Sequence, residues 1–531
     1  MIRNYLLTAW RNFRRHKGYS FINLAGFALG MSCCVVIFLY VRHERGFDRH
    51  HKDVDRVFRI SMDIRTKTAN RVFAPISDTA GPALAKDYPQ VEAVARIWPR
   101  ASRLVRRDDV VSYEDRFMYA DPGLFDCLTV PLLRGDPRTA LAGPGSLVVT
   151  EKLARKYFGV ADPMGRVLNV NGQDFEITAV AADPPSTTHL PYGLIASMTA
   201  IAGERYMNNW HSTMFYTYLK LKPGVDPAEF GRLASRLADG YVKAQLDAWG
   251  TEYHYFLQPV RGLHLAAPLR YEIEPPSSPV TLTILSVVGL FTLLIAALNF
   301  MNLATARSAN RAREVGLRRV IGADRRQLVL QFLGEAVLFA LTAMALAVVA
   351  VLLAIPALNG LTGAGLTWRD LISPAALALF AGGAVVVGLA AGLYPAFVLS
   401  SVRPVSALRG GLACGRSGLV LRTVLVVVQF SISSALIVGT LFMQQQFRFM
   451  KGRDLGFDKA QKLVVPLRGA ISVGAGYAGV KDAFRGGPGV KGVALSSTVP
   501  GRTVSNFAIE IVGQADNKNQ SMFHLYFDDE F

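Results

Sequence analysis

Five stretches of this chain carry no Asp, Glu, Lys, Arg or His: residues 18–41, 275–306, 336–368, 371–402 and 423–447. Each supplies the roughly 20 mostly apolar residues with which a helix crosses about 30 Å of hydrocarbon. Uncharged helices of that length are rare in soluble cores, and five in one chain are rarer. The pattern therefore predicts five membrane spans, near residues 18–41, 280–304, 335–358, 374–400 and 423–446. The first is too long for the apolar core of a cleaved leader. Bulky Val35, Val36 and Ile37 follow Cys33-Cys34, so an uncut anchor is expected.

Between the first two spans, residues 42–279 alternate strand and helix cues, and their length suffices for a packed core. A strand is expected over 57–64. Another covers 147–149, with Thr150 placed to cap a helix over 151–158. Residues 167–170 and 175–180 flank Asn171-Gly172, a strong two-residue hairpin signal. A further strand over 215–221 closes at Pro223-Gly224. The fold class is an integral membrane α-helical protein with an α+β extracytoplasmic domain and the start of a second one.

Composition and charge add orientation. The chain has 531 residues, with 58 Lys+Arg against 40 Asp+Glu, and 18% are charged. A soluble domain carries about 25%. The deficit lies in the five windows, which excludes a single soluble domain and, with 51% hydrophobic residues, a disordered chain. Residues 1–17, 307–334 and 403–422 together hold 16 basic and 2 acidic residues. All three fall on one side if five spans alternate, so the positive-inside rule makes the N-terminus cytoplasmic. The basic excess is thus a topology signal, and it gives no argument for nucleic-acid binding.

Candidate chemistry is sparse. Residues 474–479 match GxGxxG, but no acid stands about 20 residues on, and the stretch reads as a flexible turn. No P-loop, HExxH or GxSxG motif exists. His50-His51 reads as a solvated pair, Glu114-Asp115 and Asp528-Asp529-Glu530 as solvated acids or loop turns. Cys33 and Cys34 lie within the first span, Cys414 on the cytoplasmic side and Cys127 alone outside, and no CxxC exists, so no disulfide framework, metal site, cofactor or catalytic constellation is expected. Within the spans, the amides Asn23, Asn299, Asn302, Gln429 and 444–446 lie nearer the ends than the middle, which disfavours an ion-driven transporter. Gly26-x3-Gly30 and Gly388-x3-Gly392 read as close-packing surfaces.

There is an internal repeat. Glu44-Arg45-Gly46-Phe47-Asp48-Arg49 follows the first span, and Asp454-Leu455-Gly456-Phe457-Asp458-Lys459 follows the fifth, each ahead of an expected strand (57–60 and 463–467). The arrangement of span, outside domain and three spans starts again at the fifth span, so 448–531 reads as an incomplete second outside domain. The most structured inside segment is 302–335. Its residues 302–320 continue the second span, Gly322-Ala323 breaks it, and Asp324 is placed to cap the next helix, with Gln327 in capping-box spacing. This is a rigid, Arg-studded elbow suited to docking a protein.

Residues 302–335 resemble the coupling segment of MacB/FtsX-type ABC transporter permeases. Asp121-Pro122-Gly123-Leu124-Phe125, Pro131-Leu132-Leu133-Arg134-Gly135-Asp136, Leu147-Val148-Val149-Thr150-Glu151, Lys156-Tyr157-Phe158-Gly159 and Asp162-Pro163-Met164-Gly165 resemble the MacB-like periplasmic core domain. Ala9-Trp10-Arg11-Asn12-Phe13 and Gly392-Leu393-Tyr394-Pro395-Ala396 resemble the permease pattern. The resemblance divides the chain into a cytoplasmic segment 1–17, span 18–41, a periplasmic core domain 42–279, an FtsX-like domain 280–402 with its elbow at 303–334, a cytoplasmic loop 403–422, span 423–447 and the incomplete domain 448–531.

The resemblance also implies a permease subunit without enzymatic activity of its own, in the bacterial inner membrane. It implies a separate ABC ATP-binding subunit as partner, a dimeric permease assembly in the lipid bilayer, and periplasmic or outer-membrane partners. ATP-driven motion would pass through the spans to the outside domain, serving export or extraction of a substrate. Carried over residue by residue, the ATPase interface falls on Arg311, Arg313, Glu314, Gly316, Arg318, Arg319, Gly322 and Ala323. Two rivals are a membrane sensor, for which the inside segments offer no output module, and an anchored enzyme, for which no catalytic set exists.

Overall fold

The computed structural model describes residues 17–67, 70–100, 102–306, 321, 324–400, 416–454, 461–467, 477–499, 505–509 and 520–528. They form two units. One comprises Met1–Gly46 and Ser278–Gln461, the other Phe47–Ser277 and Lys462–Phe531.

The first unit is helical. Its membrane-length segments are Phe21–Arg45, Pro279–Leu303, Arg325–Thr362, Pro374–Phe397 and Thr423–Gly452, the five expected spans. The third helix has 38 residues, or about 57 Å at 1.5 Å per residue, because the second arm of the elbow and the span are one helix. Asp324 stands at its N-cap in extended conformation, but its side chain caps nothing, and the Asp324 carbonyl accepts from Gln327 N–H instead. The capping box that does form is Thr367 with Asp370, ahead of the short helix Trp368–Ile372.

Small residues bring these helices together. A methyl on Gly388 would lie 2.9 Å from the Val337 Cα and 3.0 Å from the Ala340 Cβ, and one on Gly392 2.7 Å from the Ala336 Cβ. Gly30 meets Ala296 in the same way, at 2.6 Å, whereas Gly26 only grazes Asn299. The expected glycine surfaces are therefore real at Gly30, Gly388 and Gly392. Asn302 Nδ2 donates to Gln429 Oε1 at 3.2 Å, which joins the second and fifth helices by their amides.

The second unit is built on one sheet. Its strands are β1 (Val57–Thr66), β2 (Asn70–Phe73), β3 (Val91–Arg100), β4 (Arg103–Arg107), β5 (Val110–Glu114), β6 (Phe117–Ala120), β7 (Leu132–Arg134), β8 (Ser146–Thr150), β9 (Val167–Val170), β10 (Gln173–Ala181), β11 (Leu194–Ser197), β12 (Tyr216–Leu221) and β13 (Thr251–Pro259). They lie in the order β13-β1-β12-β3-β6-β11-β8-β10-β9-β4-β5, with β2 beside β1 and β7 beside β10. Pairing is antiparallel except for β6 with β11 and β8 with β10.

β1 is covered on both faces. Phe58, Ile60 and Met62 pack with the helices Ala80–Asp87, Pro227–Ala234 and Asp239–Ala248. Val57 packs on the other face with Tyr218, Leu124 and Leu263. The hairpin at Asn171-Gly172 has φ of 53° and 88°, the left-handed pair that a twisted two-residue turn requires. The helix Glu151–Phe158 starts after Thr150 as expected, without a side-chain cap. Residues 461–467, by contrast, form no strand, because no partner ladder stands beside them among the described residues. Beyond the fifth membrane helix, the helix Tyr477–Arg485 and an antiparallel pair, β14 (Ser505–Ile509) and β15 (Gln520–His524), are present.

Candidate functional site

The most unusual chemistry of the second unit is a polar row laid across its sheet. Arg59 in β1 stands opposite Gln258 in β13 and Tyr218 in β12. Strand alternation turns Arg59 and Ser61 to the face opposite Phe58, Ile60 and Met62. Arg59 is 2% exposed, and a buried cation must be paired. It is: the two terminal guanidinium nitrogens donate to the Glu272 carboxylate at 2.6 and 2.8 Å, and Nε and Nη2 donate to Gln258 Oε1 at 3.3 and 2.8 Å. Ser61 Oγ donates to the same oxygen at 2.8 Å. Burial opposes the Arg59 charge, and the Glu272 carboxylate outweighs it, so the guanidinium is held above its ordinary range.

Next to this row sits a second charge. Asp48 is fully buried with a left-handed φ of 59°. Its backbone N–H donates to Thr187 O, and its Oδ1 accepts from His189 N–H at 3.0 Å. His189 Nδ1 lies 2.8 Å from the same oxygen, an ion contact rather than a well-aligned hydrogen bond. His189 Nε2 lies 2.8 Å from the Tyr218 hydroxyl. Burial alone would raise the Asp48 carboxyl, but the charge and hydrogen bonds of His189, helped by His51, hold it well below the carboxylate range. Tyr218 is pushed far above the ordinary phenol range by burial, so its hydroxyl stays protonated.

The expected solvated pair His50-His51 is therefore not solvated. His51 is buried, and its Nε2 lies 3.7 Å from Asp48 Oδ1. Burial above all pushes His50 down to about 4. The two rings do not diverge, because residues 46–50 turn rather than run as helix or strand.

Asp48, His51 and His189 offer ligand atoms within 4.8 Å of one another. Their hydrogen bonds do not suit a metal. His51 Nδ1 accepts from Thr129 N–H at 3.1 Å, so the proton of the neutral ring is on Nε2, the atom a metal would need bare. His189 Nε2 is taken by the Tyr218 hydroxyl, while its Nδ1 lies in ion contact with Asp48 without a hydrogen bond. The donor set fits a hydrogen-bonded ion cluster.

Other acids also have partners. Glu114 accepts from Lys156 Nζ and the Tyr157 hydroxyl, both at 2.6 Å, and Asp528 accepts from Lys481 Nζ at 2.9 Å. The residues assigned from sequence to an ATPase interface, Arg311, Arg313, Glu314, Gly316, Arg318, Arg319, Gly322 and Ala323, lie outside the described residues. So does most of the glycine-rich turn at 474–479. Nothing in the sequence marks the polar row, although Asp48 beside it belongs to the Gly-Phe-Asp repeat.

Residues 20–237 match the family model for a MacB-like periplasmic core domain, and residues 286–404 that for an FtsX-like permease C-terminal domain. Among curated relatives, the macrolide export ATP-binding/permease protein MacB of Bdellovibrio bacteriovorus is 23% identical over 49% of this chain and 38% of its own. The uncharacterized ABC transporter permease YknZ of Bacillus subtilis is 25% identical over 51% of this chain and 62% of its own. The chain thus spans about 40–60% of the length of these relatives. The periplasmic region of MacB from Actinobacillus actinomycetemcomitans, a solved structure, covers 38% of this chain at 13% identity and a TM-score of 0.29. With a periplasmic core domain in one half and a permease domain in the other, the chain belongs to the MacB/FtsX type of ABC transporter permease, a multi-pass membrane protein.

Proposed function

We propose that this chain relays ATP-driven motion from a separate ATP-binding subunit, through its membrane helices, to the periplasmic domain, and so drives export or extraction of a substrate. The observation that carries this reading is the FtsX-like match over residues 286–404, which includes the Arg-rich elbow between the second and third membrane helices. These 531 residues hold no P-loop, so the nucleotide chemistry belongs to a partner domain. The five helices carry few polar groups at mid-length, which suits a lever better than a pore. The charge pattern supports a cytoplasmic N-terminus, with residues 42–279 and 448–531 outside; the inner membrane and a dimeric permease as the working assembly follow from the family resemblance alone.

In this reading Arg311, Arg313, Arg318 and Arg319 pair with carboxylates on the ATPase, Glu314 with a cation there, and Gly316, Gly322 and Ala323 allow close approach. The test is reconstitution with candidate ABC ATP-binding subunits from the same genome. Glu314→Lys should insert normally yet lose at least about tenfold of the permease-dependent ATPase stimulation, the scale of a lost ~1.4 kcal/mol contact. Undiminished stimulation by that variant overturns the elbow assignment.

A further inference from the structure

We propose that Asp48 and Glu272 are a matched pair of anchors, positioning residues that fasten the segments entering and leaving the outer domain to one polar row of its sheet. Helix motion would then be delivered to that domain at β1 and β12. The proposal rests on the reading that the chain relays ATP-driven motion.

Position comes first. Asp48 stands three residues beyond Arg45, the end of the first membrane helix, and Glu272 seven residues before Pro279, the start of the second. These are the segments through which a moving helix must load the domain. Each carries one carboxylate into the interior, where an unpaired charge is costly. Asp48 reaches His189 and through it Tyr218; Glu272 reaches Arg59. Tyr218 and Arg59 face each other across β12 and β1, so both anchors end on adjacent strands of the sheet, β1 being one strand in from its β13 edge.

Backbone bonds back up both side chains. Asp48 N–H donates to Thr187 O, while Ala74 N–H donates to Arg270 O and Arg270 N–H to Val72 O. The Tyr216 hydroxyl of β12 donates to Tyr271 O. The two segments also share a neighbour, His264. The Phe47 ring stacks on His264 at 3.4 Å and 3°, and Ser277 N–H donates to His264 O at 2.6 Å. A domain that only had to fold would gain as much from apolar residues at these places. Charged, geometrically exacting pairs on both connecting segments suit a joint that must not slip.

The test uses the full chain in nanodiscs with the ABC ATP-binding subunit whose ATPase activity it stimulates, and hydrogen exchange as the readout. In Asp48→Asn and Glu272→Gln, exchange at residues 47–50 and 270–277 should rise by about tenfold or more without ATP, with β1 and β12 changing far less. ATP hydrolysis should persist while the ATP-induced change in outer-domain exchange falls to less than about half. Tyr218→Phe, which removes one hydroxyl, should give the same pattern in weaker form and serves if the carboxylate variants fold poorly. Connecting segments that stay protected overturn the proposal, as does loosening with a full ATP response. So does loosening of β1 and β12 along with the segments in all three variants, which would assign the pairs to folding alone. A wild-type assembly without any ATP response defeats the relay reading, and the ATP-free arm tells that failure apart from failure of the anchors.

Discussion

A single buried carboxylate makes the stability of the outer domain depend on acid. Asp48 is held well below the usual range because the charge and hydrogen bonds of His189 outweigh its burial. A carboxyl depressed in the fold contributes stability above its unfolded value, about 3.9, and that contribution is lost as pH falls through the folded value. Thermal unfolding followed by tryptophan fluorescence should therefore change little between pH 7 and about 4 on account of this group, then decline at lower pH. Asp48→Asn should lower the plateau and make the acid limb shallower; an acid limb as steep as that of the wild type would show that His189 does not hold the charge. Asp48 was half legible in the sequence, since Gly46-Phe47-Asp48 returns as Gly456-Phe457-Asp458. Arg59 was not. In a strand a lone Arg at an alternate position reads as exposed, and only the far-off Glu272 and Gln258 reveal that it is inside. Glu114 reads as solvated for the same reason, because its partners Lys156 and Tyr157 lie more than forty residues away.

Elements defined by local rules were the legible ones. Charge-free windows gave the five membrane helices, and Asn171-Gly172 gave its hairpin, because hydrocarbon thickness and left-handed backbone each select residue types directly. Sheet order was not legible, since β1 lies between β12 and β13, strands from more than 150 residues further along. Caps were half legible: Thr150 and Asp324 occupy cap positions without forming the side-chain bond. The glycine surfaces make the sharpest element-scale prediction. Gly388→Leu and Gly392→Leu push a side chain into Val337, Ala340 and Ala336, where backbone and Cβ atoms stand within about 3 Å. Overpacking of that kind costs about 1–3 kcal/mol. Gly382→Leu, where nothing lies within 4 Å, is the control. In detergent, the unfolding temperature should fall for the first two variants and hold for the third. Equal behaviour of all three would mean that the third and fourth helices do not pack through this face.

For the whole molecule, the strongest constraint is parity. Four spans separate residues 42–279 from 448–531 and one separates 42–279 from 307–334, so if all five cross, the first two lie on one side and 307–334 on the other, and the positive-inside rule predicts 307–334 to be cytoplasmic. Cysteine labelling reads this out directly. The native Cys127 serves as an internal silent thiol, since it is 2% exposed and burial pushes it up to about 12, leaving almost no thiolate. With Cys33, Cys34 and Cys414 replaced by Ala, an impermeant maleimide added to cells with an opened outer membrane should modify Asp162→Cys and Lys491→Cys. It should reach Ser308→Cys only after the inner membrane is permeabilised. Labelling of Ser308→Cys in intact spheroplasts would turn the basic elbow outward, away from any ATPase. Opposite labelling of positions 162 and 491 would break the parity itself and leave one of the five helices out of the bilayer. The expected pattern sets both Gly-Phe-Asp exits on the periplasmic side, so that each outer segment starts from its membrane helix through the same three residues. At the first of them the Asp is already tied into the sheet.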